Sequence, residues 1–166
     1  MPAVCCWIGC AVTNPTHPLV IGYGNPLRED DGIGRRAAEL LEAQLPPQAA
    51  EIVQCHQLTP ELSAKLDGAS VVIFLDASVN LAPGEIACQP VRGNDDGVWS
   101  HDLSPAQLLG LAGQLNGGTP RAFLISAGVE RMDLGTALTP GGEESAIRVA
   151  RAAKQLLKAE VRCESR

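Results

Sequence analysis

The chain has 166 residues, 45 % of them hydrophobic and 19 % charged, with a formal net charge of −6. That length suits one domain around one buried core. The acidic balance, the lack of any Lys/Arg block and an aromatic content of 3 % argue against nucleic acid or an anionic membrane surface as a partner.

The opening stretch MPAVCCWIGCAVTNPTHP holds Cys5, Cys6, Cys10 and His17. It lacks the basic start of a signal peptide, and its cysteine spacing matches no familiar zinc pattern. Residues 1–17 are read as an extension and 18–162 as the domain. The six cysteines form no CxxC and no regular framework, so a reduced, cytoplasmic protein is expected. No apolar run approaches the roughly 18 residues needed to span a bilayer.

A short buried strand, Leu19 to Gly22, runs into the loop GYGNPLREDDGIG. The following DDGIGRRAAELLEAQL places Ile33, Ala37, Leu40, Leu41 and Leu45 on one helical stripe, and Pro46 and Pro47 stop it. Ala50 to Cys55 reads as a second strand, and TPEL restarts a helix with Thr59 as N-cap and Pro60 first inside it. SVVIFLDAS is a strand covered on both faces. EIACQPV is an edge strand ended by Pro90. The loop RGNDDGVWSHD leads to a helix capped by Ser104 and Pro105, and RAFLISAG is another buried strand. A final helix from about Glu143 to Val161 carries Ile147, Ala150, Ala153, Leu157 and Val161 inward. Such alternation predicts a single-domain three-layer αβα sandwich, with a mostly parallel twisted sheet and one edge strand.

Sites in such folds lie beyond the carboxyl ends of the strands, where strand order reverses. The opening loop, Asp76 at the end of VVIFL and the stretch around His101 all fall there, with the loops after Cys55 and Ala127 as candidate rim. A phosphate cradle would need G-x-G-x-x-G. Leu27 stands where the third glycine belongs, and Glu29, Asp30 and Asp31 would repel an anion. The loop suits a cation better. Asp30 or Asp31 taken alone reads as an N-cap of the first helix, and His56 as a rim residue or a structural hydrogen bonder. Taken together, two carboxylates and an imidazole suit a borderline divalent ion such as Ni²⁺ or Zn²⁺. No G-x-S-x-G, H-E-x-x-H or Walker motif is present.

GYGNPLREDDGIG after the first strand, FLDAS ending the third, SHDLSP before a helix and LTP before the last helix resemble the hydrogenase maturation endopeptidases, over about residues 18 to 160. The resemblance implies a peptidase that removes the C-terminal extension of a nickel–iron hydrogenase large-subunit precursor after nickel insertion. It maps the metal-contacting and catalytic residues onto Asp31, Asp76 and His101, with nickel supplied by the precursor and no nucleotide. A nickel-loaded precursor is the implied partner, and a monomer is expected. CHQLTPEL departs from the Gly-Gly turn many relatives have after the second strand. A nickel-binding chaperone without peptidase activity, a general metallopeptidase and a nucleotide-binding α/β domain are the alternatives.

Overall fold

The computed structural model describes residues 17–94 and 102–164, with side chains described as far as 160. Most of the proposed N-terminal extension, with Cys5, Cys6 and Cys10, lies outside the described residues, as does His101. The elements are β1 (Leu19–Tyr23), a 3-10 turn (Glu29–Gly32), α1 (Ile33–Glu42), β2 (Glu51–Cys55), a 3-10 segment (Pro60–Leu66), β3 (Val71–Ser78), β4 (Ile86–Val91), α2 (Pro105–Asn116), β5 (Arg121–Gly128) and α3 (Pro140–Glu164).

Five strands form one sheet in the order β2-β1-β3-β5-β4. β2, β1, β3 and β5 run parallel, and β4 closes one edge antiparallel to β5. The period-two alternation of strand side chains divides the core into two halves. Val20, Val71, Ile73, Leu75, Ile125 and Ala127 face α1 and α3. Leu19, Ile21, Val72 and Phe74 face α2 and the 3-10 segment, packing with Leu66, Leu108 and Leu109 and with Leu58 just ahead of that segment. The expected three-layer α/β sandwich is thus observed.

Helix α2 begins with a reciprocal capping box between Ser104 and Gln107, Pro105 takes its first position, and Gly117 ends it in the left-handed conformation. Several local expectations need correction. Pro90 pairs with Phe123 inside β4 instead of ending it, which the missing N–H permits only because this strand is an edge. The helix expected at TPEL is 3-10, and Thr59 precedes it without a side-chain cap. Helix α3 starts three residues earlier than its periodicity suggests, at Pro140. Its inward face carries Ala146, Val149, Ala150, Ala153 and Leu157, leaving Ile147 43 % exposed. Ala146 takes the inward place, so Ile147 lies about 100° around the helix from it.

Strand order reverses between β1 and β3. The chain leaves β1 for β2 on one side, then crosses back to β3 on the other. The crevice outside the carboxyl ends of β1 and β3 is therefore the place this topology offers a ligand. α1 lies very close over these ends, because Gly22 and Gly34 present no side chains. A Cβ on Gly34 would strike the carbonyl oxygens of Leu75 and Tyr23, and one on Gly22 would strike Gly34 and Ala38.

Candidate active site

The loop after β1 folds back on itself at Gly24, whose φ of 139° and contact with the Asp31 carbonyl exclude a side chain. The Gly24 amide donates to the His56 carbonyl (3.1 Å), tying this loop to the one after β2. Asn25 then makes a local turn, its side-chain oxygen accepting from the Leu27 amide (2.9 Å). Its own backbone N–H donates to Asp31 Oδ2 (2.9 Å), which orients that carboxylate. The glycines of the opening motif thus serve close backbone and helix approach, and of the motif's three acids Asp31 lines the cleft.

Asp76 stands at the carboxyl end of β3, one step beyond the paired residues Gly22 and Leu75. Its Oδ2 accepts from the Tyr23 hydroxyl (2.7 Å) and its Oδ1 from the Ala77 amide (2.8 Å). Burial raises the Asp76 pKa to about 6; the two hydrogen bonds pull it down, and the charges of Asp31 and Asp102 push it further up. Tyr23 is driven far above the usual phenol range, first by burial and then by Asp76, so it remains a neutral donor. Asp31, Asp76, Asp102, His56, Tyr23 and Arg28 line one cleft of about 250 Å³.

Two of the three residues singled out by sequence, Asp31 and Asp76, therefore share this cleft, with His56 on its wall. The third, His101, lies outside the described residues; Asp102, which follows it, lines the cleft. Among the described residues, no group of three His, Cys, Asp or Glu side chains stands close enough to hold a metal ion. Tyr23 and Asp102 were not among the sequence candidates. Tyr23 has a sequence signal, a phenol at the end of a strand inside the glycine motif. Its pairing with Asp76 appears only when β1 and β3 lie side by side.

Asp30 does something different from its neighbour. It is wholly buried, and neither it nor Asp31 caps α1: the N-cap residue is Gly32, with no side-chain bond. The Asp30 carboxylate instead accepts from Thr139 N and Oγ1 (both 2.9 Å), Glu130 N (3.0 Å) and Arg131 N (3.4 Å). Thr139 Oγ1 in turn accepts from Gly142 N (2.9 Å), capping α3. A Cβ on Gly142 would collide with Asp30 Oδ1, so glycine is required at that position inside the first turn of α3. One carboxylate thus joins the loop after β1 to the loop after β5. Glu29, the only non-glycine residue at positive φ among the described residues (41°), strengthens the joint through its N–H to Gly135 O (3.2 Å).

An open, doubly wound α/β domain with an acidic cleft at the β1–β3 junction is the class that fold and site define. The solved structures that the chain resembles include hydrogenase maturation endopeptidases. Hydrogenase maturating endopeptidase HybD from E. coli shares 26 % identity over 87 % of this chain and 93 % of its own, with a TM-score of 0.70. An endopeptidase from Escherichia coli solved in solution shares 25 % over 83 % and 90 %, with a TM-score of 0.67. The fold also matches the [NiFe] hydrogenase maturation protease HycI from Thermococcus kodakarensis KOD1 (24 % identity, 86 % and 93 % covered, TM-score 0.69). The resemblance carried by the motifs thus extends to the whole fold. No protein-family model matches the chain, and no curated protein sequence matches it. No helix among the described residues is long and apolar enough to cross a membrane.

Proposed function

We propose that this chain is a peptidase that shortens the large-subunit precursor of a nickel–iron hydrogenase at its C-terminal end once nickel has been inserted. Asp31, Asp76 and His101 are the side chains that meet the nickel, which arrives as part of the substrate. The reading is supported by the likeness to the E. coli maturation endopeptidase. The observation that carries it is the meeting of Asp31 and Asp76 in one cleft, where the Asp31 charge raises the cost of ionising Asp76.

That arrangement gives a physical basis for a checkpoint. A precursor without nickel would bury two facing carboxylates without a cation between them, which opposes docking. A divalent cation turns the repulsion into attraction. We assign Asp76 as the general base: with no cation bound its pKa is raised to about 6, within reach of proton transfer near neutral pH. The Tyr23 hydroxyl and the Ala77 amide each occupy one lone pair, on Oδ2 and Oδ1, and the remaining lone pairs are left for the cation and for the proton of the attacking water. Asp31, oriented by the Asn25 amide, faces the cation, which would polarise the scissile carbonyl.

The test is a mobility assay on the large-subunit precursor, with and without nickel, using wild type, Asp31→Asn, Asp76→Asn and His101→Ala. Shortening of the nickel-loaded precursor alone, and by wild type alone, is expected. Binding without shortening by wild type would identify a nickel chaperone instead. Equal shortening of both precursor forms would remove the checkpoint.

A further inference from the structure

On the opposite side of the loop after β1 lies a larger hollow, of about 510 Å³, walled by Pro26 and Glu29 of that loop, Arg35, Arg36 and Glu39 of α1, and Leu138 to Glu143 around the start of α3. It is not the acidic cleft, yet the two are separated by a single stretch of chain: Asp31 faces one and Glu29 and Gly32 face the other.

The charges lining this hollow are unequally satisfied. Arg36 pairs with both Glu39 (2.8 Å) and Glu143 (2.7 Å), and Glu29 pairs with Arg131 (3.3 Å). Arg35 has no ion pair and no hydrogen bond among the described residues, and its Nε is buried without a partner. Its electrostatic neighbour is the Cys55 thiol, kept neutral by burial. A half-buried guanidinium without an anion is costly, and the bidentate partner its shape fits best is a carboxylate. The surrounding glutamates would disfavour a more highly charged anion such as a phosphate.

We propose that this hollow is a binding site for a carboxylate of the substrate's C-terminal extension, with Arg35 as its specificity-determining residue. The inference rests on the function proposed above. The bond to be cut lies over the acidic cleft, and the segment to be released crosses the loop at residues 25–32 and descends into the hollow. An extended chain advances about 3.3 to 3.6 Å per residue, so a short stretch of the extension links the two. The carboxylate is supplied either by an acidic side chain or by the chain terminus. Glu29 Oε2, buried on the same wall with no hydrogen-bond partner among the described residues, leaves an acceptor for one backbone N–H of the tail.

Two measurements decide the matter. In the first, wild type, Arg35→Ala and Arg35→Lys process the nickel-loaded precursor. Arg35→Ala is expected to raise KM by roughly ten- to hundredfold while kcat changes much less, with Arg35→Lys in between. A KM unchanged in Arg35→Ala overturns the proposal. In the second, a fluorescent synthetic peptide of the extension is titrated with each protein, as free acid, as C-terminal amide and with its acidic side chains replaced by amides. Loss of the Arg35-dependent affinity in the terminal amide assigns the chain terminus, and loss in the side-chain amides assigns an acidic residue. Affinity indifferent to all of these changes overturns the proposal. A wild type that fails to shorten the precursor counts against the peptidase reading alone, since the peptide titration still reports on Arg35.

Discussion

The Tyr23 hydroxyl donates to Asp76 Oδ2 at 2.7 Å, bridging the carboxyl ends of the two strands between which the sheet reverses its order. This bond is one of two that hold the Asp76 pKa down against burial. Removing it in Tyr23→Phe is expected to move the acid limb of the pH–rate profile upward from about 6. Activity at pH 6.5 should fall by roughly three- to tenfold, with smaller loss at pH 8. A profile parallel to that of wild type would mean Asp76 is not the base.

Asp76→Asn should separate stability from activity. The Asp76 pKa in the fold, about 6, lies above its ordinary 3.8. Between those values the folded protein holds a proton that the unfolded chain has lost, so stability falls as pH rises through this window. The asparagine retains an acceptor for Tyr23 and has no charge to bury. The variant should therefore be inactive and more stable than wild type at pH 7, by on the order of 2 kcal/mol. The difference should vanish below about pH 4. Thermal melts of both proteins across pH 4 to 8 measure it.

Asp30→Ala should act through the scaffold. It leaves Glu130 N, Arg131 N, Thr139 N and Thr139 Oγ1 without their buried acceptor. A loss of about 3 kcal/mol is expected in urea unfolding. Amide exchange should rise first at residues 130–142, 100 or more positions from the substitution. A loss confined to residues 25–35 would contradict the proposed joint.

Gly34→Ala adds one methyl group where the Leu75 and Tyr23 carbonyls already touch the helix. Since those residues flank the cleft, α1 must move away from the ends of β1 and β3. A destabilisation of roughly 2 to 4 kcal/mol is expected, together with loss of processing. Gly68→Ala is the control. No atom lies near a Cβ there, although φ is 72°, so only the local backbone cost of about 1 kcal/mol applies and processing should survive.

Asp31→Asn should leave the melting temperature close to that of wild type, because an asparagine oxygen still accepts from the Asn25 amide. Processing of the nickel-loaded precursor should nevertheless be lost, since the cation then meets one charge fewer. Full-rate processing by this variant would exclude Asp31 as a nickel contact.

Much of the architecture is legible in the amino-acid order because it follows from local periodicity. VVIFL and RAFLISAG are apolar on alternate positions of both faces, so they can only be covered strands, and the S-P-A-Q start of α2 carries its own capping box. Two of the three carboxylates lining the cleft, Asp31 and Asp76, could also be named, since a strand end and a glycine loop are places where topology exposes side chains. What could not be read locally is which of two adjacent acids does which task. Asp30 and Asp31 differ only in the direction each points from a single 3-10 turn, and that direction is set by Thr139 and Gly142, over a hundred residues away. The same limit explains Ile147 and the early start of α3: hydrophobic spacing defines a helix's amphipathic stripe only to within a residue, and packing against α1 and the sheet chooses its rotation. The sequence by itself determined the sheet, the order of its layers and the acidity of the loop, all of which depend on neighbours along the chain. Only the tertiary structure decided that Tyr23 meets Asp76, that Asp30 is a joint and Asp31 faces the cleft, and that Arg35 has no ion pair or hydrogen bond among the described residues. Those outcomes depend on groups distant in sequence, whose meeting is settled by the packing of the whole core.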